Sequence, residues 1–244
     1  MAIEACKRAS SRVGVALTAA AAVCLIGSAA AADTIDDFST VSAPNPWPHV
    51  QGSLGFDDVF ETGVGAGING IRQTRIVAAS LAGGGDSITV EIDTSAPGMT
   101  TNGAISYEST DGAQGALALI YDGAGLNLDF SGDAGVLIDF ESASWDDGPI
   151  RTTLTLIDDD GLMATVRQDL VNQGAQTQFI SFASMDFIDL IDLSEIERIE
   201  VSFDAQDDGS DFSVSMIYTD IPAPGALALL GLAGVAGGRR RRRN

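Results

Sequence analysis

Cysteine, histidine and lysine are nearly missing from this 244-residue chain. Both cysteines, Cys6 and Cys24, precede residue 33, so everything after them lacks a disulfide and a thiolate metal site. The single histidine, His49, stands in Pro46-Trp47-Pro48-His49. No cysteine follows it and no serine sits in a nucleophile-elbow context, so a Cys-His or Ser-His-Asp device has no members to assemble. A zinc site would need more His or Cys ligands than the chain offers. No catalytic residue is assigned.

Cations are scarce in a patterned way. Of 13 Lys and Arg, three (Lys7, Arg8, Arg12) lie at the front and five (Arg239, Arg240, Arg241, Arg242, Arg243) close the chain. Between them remain Arg72, Arg75, Arg151, Arg167 and Arg198 against every acid but Glu4, a net charge of −28 over Asp33 to Asp220 with no lysine at all. Such a surface repels phosphate backbones and anionic lipid, which excludes nucleic acid as a partner of this segment and leaves solubility or cation binding as uses of the carboxylates.

Each terminus has the grammar of an address. MAIEACKRASSR carries positive charge, VGVALTAAAAVCLI is apolar, and GSAAAAD ends in small residues: a secretory signal peptide over 1–32, cleaved after Ala32 with Ala30 and Ala32 as the small pair. Val23 stands before Cys24 where a lipobox has a small residue, which argues against lipidation. At the other end, 221–244 reads IPAPGALALLGLAGVAGGRRRRRN. As a helix, Ala223 to Gly238 would span about 24 Å at ~1.5 Å per residue, just short of a ~27 to 30 Å hydrocarbon core. Its few leucines, among glycine and alanine, supply little insertion energy, so it reads as a temporary hold in the inner membrane with the arginine run on the cytoplasmic side. Pro222-Ala223-Pro224, the apolar stretch and the five arginines together resemble the PEP-CTERM sorting signal of Gram-negative, biofilm-forming and planctomycete-type bacteria, with Ala223 where that family usually has glutamate. The resemblance implies processing by an exosortase-like membrane protease and a destination at the cell surface or outside it.

Between the ends, period-two alternation predicts strands half buried on one face. Ile88, Val90 and Ile92 alternate with polar residues, as do Leu154 and Leu156; Ile199, Val201 and Phe203; and Phe212, Val214, Met216 and Tyr218. Further strands are expected at 75–79, 104–108, 116–121, 136–142, 164–169 and 178–183. Turns are marked by Asp111-Gly112, Asp122-Gly123, Asp147-Gly148, Asp160-Gly161 and Asp208-Gly209. The fold class expected for 33–220 is all-β, an antiparallel β-sandwich of jelly-roll type, flanked by an N-terminal signal helix and a C-terminal hydrophobic helix. Thr62 to Gly70 reads as a mobile loop, since it has no lysine for a phosphate cradle, and Asp192 to Glu197 as a short helical turn.

The segments IDDFST, GINGIRQTRIV, YDGAGLNLDFSG and IDLSEIERIEVSF resemble mature domains carried by PEP-CTERM proteins, with Gln73 and Thr74 where acids are frequent in the related pattern. Such domains look like galactose-binding or carbohydrate-binding-module jelly rolls, which implies polysaccharide as a partner. Sugar rings stack on exposed aromatics, and of the two tryptophans, Trp47 and Trp145, Trp145 lies in the polar turn SASWDDGP and is the candidate ligand-binding residue. Hard cations take carboxylate oxygens, and related jelly rolls often pin their termini with one, so Asp36 and Asp37 with Asp220 are the candidate ligands of a structural calcium, provided the terminal strands are adjacent. Asp158, Asp159 and Asp160, or Asp204, Asp207, Asp208 and Asp211, are alternative sets; none has EF-hand spacing. Three functions stay open: a non-catalytic surface or matrix protein associated with exopolysaccharide, a carbohydrate-binding module with defined glycan specificity, and a secreted glycan-active enzyme built on an acid pair that composition cannot select.

Overall fold

Alternation of β-branched or aromatic residues with Ser, Thr and Asp gives this chain little choice but to pair strands and bury one face of each. The computed structural model describes residues 33–39, 49–51, 55–64, 70–93, 103–122, 126 and 128–220. The signal segment with Ala30 and Ala32, the tail with Pro222, Ala223, Pro224 and Arg239 to Arg243, the two terminal helices and Trp47 lie outside them. No helix among the described residues is long and apolar enough to cross a membrane.

Thirteen strands, counted among the described residues, form two sheets with every pairing antiparallel. The first sheet holds β1 (Thr34–Asp36), β2 (His49–Gln51), β5 (Ser87–Asp93), β6 (Ala104–Ser109), β8 (Gly135–Ser144), β11 (Gln176–Ser181) and β13 (Asp211–Asp220). Its order is β11-β8-β13-β6-β5-β2, with β1 also on β13. The second holds β3 (Phe56–Val64), β4 (Gly70–Leu81), β7 (Ala113–Asp122), β9 (Ile150–Asp158), β10 (Met163–Asp169) and β12 (Ile196–Ala205), in the order β10-β9-β12-β7-β4-β3. The sheets form a β-sandwich, and Ala32–Ile221 is one compact unit.

The predicted inward residues Ile88, Val90, Ile92, Leu154, Leu156, Ile199, Val201 and Phe203 are all buried. An aromatic seam crosses between the sheets: Phe203 of β12 packs edge-on to Phe140 of β8 (5.6 Å) and against Phe212 of β13 (5.1 Å), which stacks on Tyr107 of β6 (4.9 Å). Each such pair contributes about 0.5–1.5 kcal/mol beyond its buried area. Three Asp-Gly turns have the positive φ that glycine permits, at Gly112, Gly161 and Gly209.

Four expectations are corrected. Strand β13 does not keep one parity: its register shifts between Val214 and Met216, a bulge against β8, so Ile217 and Thr219 turn inward while Met216 and Tyr218 face out. Of the loop expected at Thr62 to Gly70, Thr62 to Val64 complete β3 and Gly70 opens β4, and residues 65–69 lie outside the described residues. The helical turn expected at Asp192 to Glu197 is a hydrogen-bonded turn (Glu195 N–H to the Asp192 carbonyl, 3.2 Å) running straight into β12. The 3₁₀ turns lie upstream, at Phe182–Ser184 and Ile188–Leu190. Strand β3 was not expected, because Asp57, Asp58 and Glu61 hide its alternation; as an edge strand it leaves Phe56 and Phe60 uncovered.

Candidate functional site

Residues directly opposite each other in an antiparallel pair share a face, so the register of the second sheet reads out its outward surface row by row. One row runs Phe56, Val77, Ala116, Asp204, Arg151, Asp169. The next runs Asp58, Arg75, Ala118, Ser202, Thr153, Arg167, and a third runs Phe60, Gln73, Ile120, Glu200, Thr155, Thr165. Each crosses six strands, about 24 Å at the ~4.8 Å inter-strand spacing.

Side-chain size gives this surface relief. The middle strands β7 and β12 offer Ala116, Ala118 and Ser202, while β3 and β4 on one side offer Phe56, Phe60 and Arg75, and β9 and β10 on the other offer Arg151 and Arg167. Exposure follows the same profile along the third row: Phe60 is 62% exposed, Gln73 8% and Ile120 2%. These side-chain sizes imply a shallow groove over β7 and β12 at Ala116, Ala118 and Ser202, with two phenylalanines raised on the β3 edge.

Charge is segregated onto the same surface. Of the five cations between Asp33 and Asp220, four (Arg75, Arg151, Arg167 and Arg198) point outward from this sheet, and three of these are held by neighbouring acids. Arg75 meets Asp58 in a fork, Nε to Oδ1 at 2.7 Å and Nη2 to Oδ2 at 3.2 Å, with its guanidinium 5.8 Å from the centre of the Phe56 ring. Arg151 binds Asp169 at 2.7 Å, and Arg198 reaches Glu200 at 3.3 Å. The hydrogen bond to Asp58 holds the Arg75 proton more tightly than usual, as Asp169 does for Arg151. The Nε–H of Arg198 is shielded from water and has no hydrogen-bond partner among the described residues. Fixed guanidinium–carboxylate pairs present donors and acceptors side by side, the pattern that vicinal hydroxyls match, and a flat aromatic wall suits the C–H face of a sugar ring.

The carboxylates proposed for calcium are placed otherwise. Strands β1 and β13 are neighbours, but Asp36 faces Ile217, three residues and about 10 Å along the strand from Asp220. Asp36 is buried and committed: Oδ2 accepts Arg72 Nη1 (2.6 Å) and the Tyr121 hydroxyl (3.1 Å), and Oδ1 accepts the Phe38 N–H (2.8 Å). Since Arg72 and Tyr121 belong to β4 and β7, this carboxylate ties the first strand of one sheet to the middle of the other. The Phe38 ring lies 5.4 Å from the guanidinium. Asp37 closes a local turn on Ser39. Asp158 is buried and receives the N–H groups of Leu162 (2.8 Å) and Asp192 (3.0 Å). Asp207, Asp208 and Asp211 accept from the backbone of Asp147, Gly112 and Ser109, and Asp204 accepts from Gln206. No group of three His, Cys, Asp or Glu able to hold a metal occurs among the described residues.

Trp145 is half buried and packs against the core, with its carbonyl receiving the Gln173 amide at 2.5 Å, and lies past the end of β8, off the groove. His49 sits in β2. The groove residues were passed over by sequence reading, although strand parity carried the signal: Arg75, Arg151, Arg198 and Glu200 all occupy outward positions.

No family model matches the sequence, and none of the curated proteins matches it. Among solved structures, the chain is similar to a family 11 carbohydrate-binding module from Clostridium thermocellum in complex with a β-1,3-1,4-mixed-linked tetrasaccharide, at 15% identity over 80% of this chain and 98% of that one, with a TM-score of 0.43. A family 11 module of a cellulosomal cellulase of the same organism gives 14% identity, 78% and 95% coverage and a TM-score of 0.42. An agarase gives 13%, 80% of this chain, 25% of its own and 0.43. The likeness is one of β-sandwich architecture and goes no further.

Proposed function

We propose that the domain is a non-catalytic polysaccharide-binding module, delivered to the cell surface or extracellular matrix by the signal peptide and the PEP-CTERM-like tail. The observation that carries the reading is the groove itself: a floor of Ala116, Ala118 and Ser202 beside Phe56 and Phe60, lined by guanidinium–carboxylate pairs in a domain whose one other cation, Arg72, is buried. Acids and arginines nearly balance there, which suits an uncharged glycan better than a polyanion.

An enzymatic reading is less well supported. Asp159 and Glu195 are one pair of carboxyls that touch, and their hydrogen bond, then their mutual repulsion, raises the Glu195 pKa. They sit in exposed turns away from the groove and closer together than the ~5 Å or more that glycosidic chemistry needs between its two acids. A glycan array followed by titration calorimetry tests the proposal: Phe60→Ala and Arg75→Ala are each expected to weaken binding about tenfold or more without lowering the melting temperature by more than a few degrees. Absence of binding to every glycan, or release of reducing sugar by the wild-type protein, defeats it.

A further inference from the structure

The outward face of the first sheet carries a second built surface. Phe179 of β11, Leu137 of β8, Tyr218 of β13 and Thr34 of β1 stand directly opposite one another in one row. Beside it run Thr177, Asp139 and Met216. The β13 bulge is what brings Tyr218 out to this side.

Phe179 does not stand up from the sheet. A Cβ placed on Gly135 would lie 2.7 Å from Phe179 Cε2 and would also meet the Ile180 carbonyl oxygen. The ring therefore leans over the glycine and covers its bare backbone, while Phe179 stays 39% exposed. Two strands away, about 10 Å across the sheet, Tyr218 supplies a second ring with Leu137 between them. Asp139 fixes the polar side: its Oδ1 accepts the Thr177 hydroxyl at 2.7 Å, with the Tyr218 hydroxyl 3.5 Å away. Burial, followed by Asp139, pushes the Tyr218 phenol above its usual range, so it stays a neutral donor.

We infer that Phe179, Leu137, Tyr218 and Asp139 form a second sugar-binding platform, for an uncharged polysaccharide, on the face opposite the groove. Charge selects the occupant. None of the seven strands of this sheet contains Lys or Arg, while Glu91, Glu108, Asp139, Glu141 and Asp211 point outward from it, so a polyuronate, a nucleic acid and a second copy of the same acidic face are all repelled. An uncharged chain of pyranose rings can stack on Phe179 and Tyr218 and donate hydroxyls to the Asp139 carboxylate, a group with about four acceptor sites. The platform goes beyond the groove reading and stands without it; if both bind, one domain joins two polysaccharide chains.

The test uses the full-length protein in affinity gel electrophoresis, with gels containing soluble β-glucan, galactan or polygalacturonate. Ala118→Tyr fills the groove floor and isolates the second face. In that background residual retardation by an uncharged polymer is expected, and Phe179→Leu, which keeps an apolar cover on Gly135 but removes the aromatic face, should weaken it at least tenfold; Phe179→Trp should keep it. Should Phe179→Leu lower the melting temperature, Asp139→Ala reads the same site and should give the same loss. The inference is overturned if the groove-filled protein is not retarded by either uncharged polymer, if it prefers polygalacturonate, or if the Phe179 and Asp139 variants migrate as their parent. Loss of binding on Phe179→Leu with none on Ala118→Tyr would instead defeat the groove and leave the platform standing.

Discussion

Replacing Asp36 by asparagine removes the carboxylate that faces buried Arg72 and changes almost no volume. Both side chains are sealed from solvent in the native protein, with N and O 2.6 Å apart, and the same oxygen also receives the Tyr121 hydroxyl. Breaking one partner of such a pair leaves a charge in the interior and costs about 3–5 kcal/mol. For a domain of this size, where 1 kcal/mol shifts the midpoint by about 2–4 °C, the melting temperature should fall by about 6–20 °C. Differential scanning calorimetry measures it directly. Removing both charges with Asp36→Leu and Arg72→Met should restore most of the loss, because well-packed apolar residues replace a buried pair at little or no cost. A midpoint for Asp36→Asn within about 2 °C of wild type, or a double variant no better than the single, would refute the claim that this pair fastens β1 across the sandwich.

Other substitutions probe separate parts of the fold. Gly115→Ala sets a methyl group against the Val77 carbonyl and the Ile88 side chain, so it should cost about 1–3 kcal/mol in chemical denaturation. Gly161→Ala, whose Cβ would touch nothing, should cost only about 1 kcal/mol from its φ of +78°. Burial, reinforced by the carboxylates of Asp33, Asp129 and Asp220, raises the Asp133 pKa above 3.8. The folded state thus binds that proton more tightly than the unfolded one, and stability is lost as pH rises through the folded value. Asp133→Asn should accordingly raise the melting temperature near neutral pH and leave it unchanged once both states are protonated, near pH 3.

Much of the sandwich was legible because its strands obey a simple parity: β4 to β13 each overlap the segment that alternation marked, and all contain it except β11, which ends at Ser181 where the expected strand ran on to residue 183. What escaped has physical causes. β1 and β2 have three residues each, too few for a period to show, and β3 places acids at adjacent positions, Asp57 and Asp58, so its alternation is hidden. The bulge in β13 flips Met216 and Tyr218, and only pairing with β8 reveals it. Composition cannot distinguish a ligand from a turn-maker among the acid sets: Asp36, Asp158 and Asp207 each accept hydrogen bonds from the protein itself, which only the fold reveals. The groove needed tertiary information twice over, since Phe56 lies far from Arg198 in sequence and the role of Ala118 as floor depends on what its neighbours become.

The groove is tested most directly by filling it. Ala118 is half buried between Arg75 and Ser202, facing solvent from the middle of the second sheet, so Ala118→Tyr occupies the floor without cutting any hydrogen bond or ion pair. Titration calorimetry of wild type and variant against the best ligand from a glycan array is predicted to show affinity falling by at least about tenfold with an unchanged melting temperature. Equal affinity in the two proteins would contradict the assignment of glycan binding to this groove.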